Sequence, residues 1–187
     1  TAQRSEVIEP QLPVTTGPEL FALTFDNVSF AYPYGDFNAI EGINFTLEKG
    51  KTLGIVGKTG SGKTTIIRQI LKQFYLKEGN ILINGVNIKD LKTEDVRRYF
   101  GYVPQEHILF TGTVRKNIAF GKKDATEEEV EQAIDLAAFR KDIGFLDDGL
   151  DTIVGEQGVT LSGGQKQRLS IARAFLTSPD VLILDDS

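Results

Sequence analysis

The chain contains no cysteine and no methionine, a single histidine, and no apolar stretch of membrane-spanning length. Without Cys, a disulfide scaffold and a thiolate zinc site are excluded, and the composition fits a reducing compartment, the cytoplasm by default. Without a run of about 18 to 20 apolar residues, no helix of this chain is expected to cross a bilayer, and the first residues lack the basic, apolar, small-residue order of a secretory signal. Concentrated positive charge is missing too: Lys and Arg total 21 against 26 Asp and Glu, a net charge of −5, and the basic residues are scattered. Contact with a nucleic-acid backbone needs a positive face, so nucleic acid is a poor partner. The absence of Met, with a start at Thr1, predicts a piece of a longer polypeptide.

What is present suits one globular domain: 187 residues, 40 % apolar and 25 % charged. Residues 1–20 carry Pro10, Pro13, Pro18 and a Thr15, Thr16, Gly17 cluster, and are expected to be a linker or tail before a domain spanning 21–187. Leu23, Phe25, Val28 and Phe30 stand near period two, with a break at Asp26 and Asn27 that predicts a bulge, while Ile43, Phe45 and Leu47 alternate with polar neighbours. Both segments read as half-buried antiparallel strands. Residues 52–56 read as a short apolar strand, and 64–74, with Ile66, Ile67, Ile70 and Leu71 at helical spacing, as a helix. Residues 80–83 predict a strand entering a hairpin turn at Asn84 and Gly85, and 93–99 a short helix leading into a strand at 101–103. From about 106 to 161 the pattern is mostly helical, with Thr126 and Glu129 spaced as a capping box. Ser162 is expected to cap a second strong helix carrying Leu169, Ile171, Ala172, Ala174 and Phe175, and residues 181–184 form an apolar strand ending in Asp185 and Asp186. Strands alternating with helices, and core strands apolar on both faces, imply an α/β fold with a parallel sheet covered on both sides.

Gly57, Lys58, Thr59, Gly60, Ser61, Gly62, Lys63 and Thr64 satisfy the pattern GxxxxGK[ST]. Such a loop holds an anion with backbone N–H groups and the positive end of a helix dipole, so it needs a strand before it and a helix after it. Both are predicted here. Glycine lets the backbone wrap close to phosphate oxygens at positive φ, Lys63 brings a point charge to the β and γ phosphates, and the Thr64 hydroxyl is placed to ligate Mg²⁺. Thr65 is counted with the nucleotide-binding residues. A carboxylate at the end of a neighbouring strand is also required to hold the metal, and Asp185 fills that role. The bland readings, a glycine-rich turn and two solvated carboxylates, require neither flanking element.

Leu161, Ser162, Gly163, Gly164 and Gln165 spell LSGGQ. A serine N-cap, two glycines allowing close approach and an outward helix N-terminus make a second phosphate site on physical grounds. With the phosphate loop upstream, the chain resembles the ATPase cassettes of ABC transporters, over about residues 21–187. The resemblance implies a P-loop NTPase (RecA-like) core with an antiparallel β subdomain and a helical subdomain at about 106–161. It implies that Tyr32, in Phe30, Ala31, Tyr32, Pro33, stacks on adenine, with Tyr34 a nearby competitor. It implies that Gln105, in Val103, Pro104, Gln105, contacts Mg²⁺ and the region of the attacking water. Residues 152–158 (TIVGEQG) are similar to the segment through which exporter cassettes meet their membrane part. Two cassettes would then close head to tail: Ser162, Gly163, Gly164 and Gln165 reach the partner's ATP, while Lys63, Thr64, Gln105 and Asp185 hold this chain's own. Closure and reopening would drive export from the cytoplasmic face of a membrane.

Two departures qualify the resemblance. Asp186 stands where most active members of the family carry Glu, and its side chain is one methylene, about 1.5 Å, shorter. Misplacement by about 1 Å costs on the order of a hundredfold in rate, so this chain's own site is expected to be slow, as in the degenerate-site subunit of a heterodimeric exporter. The family's D-loop and switch histidine fall beyond Ser187; His107 stands only two residues past Gln105 and is expected to be an exposed loop residue. The fragment alone is expected to fold poorly or bind ATP weakly. Two alternative functions are a soluble ABC ATPase of translation or DNA maintenance, and a regulatory module that binds nucleotide without turnover. The first is disfavoured by the exporter-like segment and by the spacing of Lys63 and Ser162, about a hundred positions apart with no coiled coil between them.

Overall fold

The structure, a computed structural model, describes residues 21–156 and 158–185. The expected linker at 1–20, together with Gln157, Asp186 and Ser187, lies outside the described residues. The chain divides into two compact units, one running up to Tyr99 and the other beginning at Phe100.

The first unit contains β1 (Ala22–Phe30), β2 (Ile40–Glu48), α1 (Lys63–Ile70), β3 (Glu78–Ile83), β4 (Val86–Asn87) and α2 (Thr93–Arg98). Its sheet is antiparallel throughout, in the order β2-β1-β3-β4. Leu23, Phe25, Val28, Ile81 and Ile83 are buried because period two sends them to one face. The predicted bulge is there: the register shifts between Phe25 and Val28, with Asn27 at φ 49°. The extra residue is accommodated because a Cβ at Gly79 would lie 2.3 Å from the Asn27 carbonyl oxygen, so only glycine fits opposite it. The β3–β4 turn is also as predicted, with Asn84 and Gly85 both left-handed at φ 52° and 80°.

Residues 52–56 are a correction. They form no strand and have no ladder partner among the described residues, and Leu53, Ile55 and Val56 are exposed, the last at 93 %. An extended segment becomes a strand only when a neighbour takes its N–H and C=O groups, and none is described beside this one. Helix α1 is shorter than expected, ending at Ile70, where Lys72 turns left-handed at φ 50°.

The second unit contains β5 (Phe100–Val103), β6 (Gly112–Thr113), α3 (Val114–Ala119), α4 (Glu127–Leu136), α5 (Arg140–Ile143), β7 (Ile153–Val154), α6 (Gly163–Phe175) and β8 (Val181–Leu184). Its core joins Val114, Ile118, Val130, Ile134, Phe139 and Leu169. The stretch from 106 to 161 is less helical than the sequence implied: three short α-helices are separated by turns and flanked by the strands of the small β6–β7 pair. Strands β5 and β8 pair in parallel, as expected, but β8 is half-buried to exposed instead of covered on both faces.

One cation is built into this core without a carboxylate. Arg173 on α6 donates to the Asn117 carbonyl (2.8 Å), the Ile108 carbonyl (3.2 Å) and Asn117 Oδ1 (3.2 Å), and its guanidinium lies over Phe110 and Phe120. Asn117, 2 % exposed, in turn clasps the backbone N–H and C=O of Phe110. Burial lowers the Arg173 pKa. Carbonyl oxygens and two aromatic faces offset that cost, and the effect is to pin the segment after Gln105 onto α6.

Candidate functional site

The GxxxxGKT loop wraps back on itself ahead of α1. Gly60 and Gly62 are left-handed at φ 82° and 91°, and a Cβ at Gly62 would fall 2.5 Å from the Ala39 carbonyl oxygen. No other residue satisfies both the angle and the space. Lys63 Nζ donates to the carbonyls of Gly57 (2.9 Å) and Lys58 (3.1 Å), and Ser61 N–H donates to Lys58 O (3.1 Å), which rounds the loop. Gly62 precedes α1 with no side-chain cap, and no acid stands in the first turn. First-turn amides with no capping side chain, at the positive end of a helix dipole, leave the loop suited to an anion.

Tyr32 belongs to the same unit, and its surroundings are more specific than the sequence suggested. Its ring meets Phe30 (centroids 5.1 Å, 81°) and Phe74 (5.2 Å, 90°) edge to face. Its hydroxyl bonds Thr65 Oγ1 at 3.0 Å and accepts from Arg68 Nη1 at 3.1 Å. Tyr34, the competitor, is fully exposed at φ 68° with no ring contact among the described residues, whereas Tyr32 is joined to the helix that follows the loop. Arg68 and Phe74 were missed in the sequence; the signal for Arg68 was its place three residues after Thr65, on the same helix face.

In the second unit the parallel register sets Val103 beside Leu184, so Gln105 and Asp185 emerge from the carboxyl ends of adjacent strands. Asp185 is tied there: its N–H donates to Val103 O (3.0 Å), and its Oδ2 accepts from Tyr102 OH (3.3 Å), a partner only the register reveals. Gln105 is exposed. His107 departs from the expectation of an exposed residue: it is half-buried, with Nδ1 enclosed and unpaired among the described residues. Asp186 lies outside the described residues.

The SGGQ turn forms a complete capping box. Ser162 Oγ accepts from Gln165 N–H (3.3 Å), and Gln165 Oε1 accepts from Ser162 N–H (2.9 Å). A Cβ at Gly163 would meet nothing within 4 Å among the described residues, and one at Gly164 would approach the Arg168 guanidinium at 3.5 Å. Arg168 makes a two-point bond to Asp142 (2.6 and 2.8 Å), which raises its pKa and fixes the start of α6 against α5. In the exporter-like segment, Thr152 and Val154 are buried while Glu156 is exposed. The structure thus gathers Tyr32, Lys63, Thr64 and Thr65 in the first unit, and Gln105 with Asp185, and separately Ser162 to Gln165, in the second.

A mixed α/β domain with an antiparallel β sheet, a GKT loop opening a helix and a capped SGGQ turn is an ABC ATPase domain. The chain belongs to the ABC transporter family, whose model matches residues 40–187. It is 51 % identical over 183 residues to the probable multidrug resistance ABC transporter ATP-binding/permease protein YheI of Bacillus subtilis, covering 98 % of this chain and 31 % of the relative. It is 47 % identical over 165 residues to a putative multidrug export ATP-binding/permease protein of Staphylococcus aureus, covering 88 % of this chain and 28 % of the relative. The structure of a bacterial Atm1-family ABC exporter with ATP bound matches with a TM-score of 0.84 at 39 % identity, over 95 % of this chain and 30 % of that one. The chain therefore spans less than a third of the length of these relatives.

Proposed function

We propose that this chain is the ATP-binding and ATP-hydrolysing cassette of an exporter, working at the cytoplasmic face of a membrane with a permease domain in the same polypeptide. The observation that carries this reading is the self-rounded loop at 57–64 leading into a helix whose N-terminus no side chain caps. The likeness to ATP-binding/permease proteins supports the fused permease and the export role. Among the described residues no helix is long and apolar enough to cross a membrane. The domain reading carried from the sequence, a helical subdomain at about 106–161 within a cassette from residue 21, is part of the proposal.

In this account the loop amides and Lys63 bind the phosphates, Thr65 joins them, and Tyr32 orients the base. Thr64, Gln105 and Asp185 would hold Mg²⁺. No group of three His, Cys, Asp or Glu among the described residues could hold a metal alone. One carboxylate with hydroxyl and amide oxygens suits Mg²⁺, which takes water and phosphate oxygens as its other ligands and supplies charge neutralisation when bound. Ser162, Gly163, Gly164 and Gln165 present a second anion site to the nucleotide of a partner cassette. Gln165 spends its side-chain oxygen, an acceptor, on the Ser162 N–H, so its Nε2 amide, the Ser162 hydroxyl proton and the backbone at Gly163 and Gly164 are the donors offered to that ligand.

Asp186 polarises water from a carboxylate about 1.5 Å short of a glutamate's, so the site on this chain's loop turns over slowly and the partner is a related cassette carrying Glu. The test is Asp186→Asn in the intact assembly. ATPase activity close to that of the parent is expected; near-complete loss with the partner's glutamate intact would contradict it.

A further inference from the structure

Tyr32 does more in this structure than present a ring. Its hydroxyl is the centre of a three-residue contact: Arg68 Nη1 lies 3.1 Å from it and Thr65 Oγ1 lies 3.0 Å from it on another side. Thr65 is 6 % exposed and stands in the first turn of α1, where the uncapped amides are. Arg68 is exposed, one turn further on.

The direction of the Arg68 bond follows from the donor inventory: a guanidinium can only donate, so the Tyr32 oxygen accepts from Arg68. Either hydroxyl can donate in the Thr65 bond; accepting a charge-assisted bond makes the phenol the better donor of the two, which favours its proton going to Thr65 Oγ1. Thr65 is then an acceptor toward Tyr32, and its own proton has no second acceptor among the described residues. The phenol cannot rotate away, because the ring is held edge to face by Phe30 and Phe74 at 5.1 and 5.2 Å.

We propose that Arg68, Tyr32 and Thr65 form a one-way donor chain that aims the Thr65 hydroxyl proton at a nucleotide phosphate oxygen. Arg68 is then a positioning residue that touches no ligand, and Tyr32 serves the phosphates through its hydroxyl as well as the base through its ring. This rests on the nucleotide-binding reading, and deepens it by giving the base-side aromatic a role in phosphate binding.

The experiment uses the intact protein with Mg²⁺, competing ADP and adenosine separately against a fluorescent ATP analogue. Tyr32→Phe removes one oxygen and leaves the ring, and Arg68→Gln removes the charge. Each is expected to weaken ADP by about three- to tenfold, as loss of one polarised hydrogen bond does, and to leave adenosine unchanged. The double variant should be no weaker than the worse single one, because both cut the same chain, and Arg68→Lys should restore part of the loss. Equal losses for ADP and adenosine, full additivity, or no loss in Tyr32→Phe would each overturn the proposal. Tyr32→Phe is the guard against misfolding in Arg68→Gln, since the ring contacts remain. Failure of the parent protein to bind ADP would instead sink the nucleotide-binding reading itself.

Discussion

Gly62 shows how far one residue constrains the candidate site. It sits left-handed at φ 91°, and its missing Cβ leaves room for the Ala39 carbonyl. Gly62→Ala meets both obstacles, and the backbone strain alone is worth about 1–3 kcal/mol. The expected outcome is loss of nucleotide retention with a lowered melting temperature; parent-like ATP affinity in the variant would show that the loop does not depend on this geometry. Gly163 is the opposite case, since nothing lies within 4 Å of a Cβ built there. Its glycine is therefore unexplained by packing among the described residues. The two glycines look alike in the sequence, and only the surroundings show that the first is required by the fold.

Helix α4 carries the clearest element-scale prediction. Thr126 and Glu129 form a reciprocal box, and Lys122 adds a bond to Glu129 Oε1 at 2.6 Å. The Lys122 bond first, and then the Thr126 N–H, hold the Glu129 carboxyl below its ordinary 4.5. A carboxyl lowered in the folded state contributes stability that is complete above the unfolded value and is lost as pH falls through the folded one. The loss therefore belongs below about pH 4.5. Hydrogen exchange of the α4 amides, compared between parent and Glu129→Gln at each pH, should show protection that differs at pH 7 and converges as the pH falls below 4.5 through the lowered value. Curves that stay parallel would contradict the assignment. Thr126→Ala should cost about 0.5–2 kcal/mol at pH 7, as cap removal does.

These elements also mark what was legible in the sequence and why. The box at Thr126, the cap at Ser162, the bulge at Asn27 and the turn at Asn84 are local, set by residues within a few positions, and each appears as read, with Gln165 completing a box at Ser162 that the sequence reading did not name. Residues 52–56 were read from apolar character alone, but a strand is a relation between segments and its partner is not in the neighbouring sequence. For the same reason Arg68 at the Tyr32 hydroxyl, Tyr102 at Asp185 and Asp142 at Arg168 escaped notice: each joins residues from 26 to 83 positions apart. The GxxxxGKT and LSGGQ strings were legible because they are contiguous in the chain, whereas the side chains that meet neighbouring residues are recruited from a distance.

At the scale of the whole molecule, the chain spans under a third of the relatives it resembles, and its proposed sites are halves. In the proposal the loop at 57–64 and the SGGQ turn are each one half of a nucleotide site. Both are completed if two cassettes meet head to tail around nucleotide. The chain has no Cys, so within it engineered thiols report without background. The most direct measurement places one Cys at Thr59 and another in the signature turn of the partner cassette of the intact assembly, and follows disulfide formation with and without ATP and Mg²⁺. A bond that forms between cassettes only when nucleotide is retained is the predicted result; retained ATP with no bond between the two loops would contradict the account.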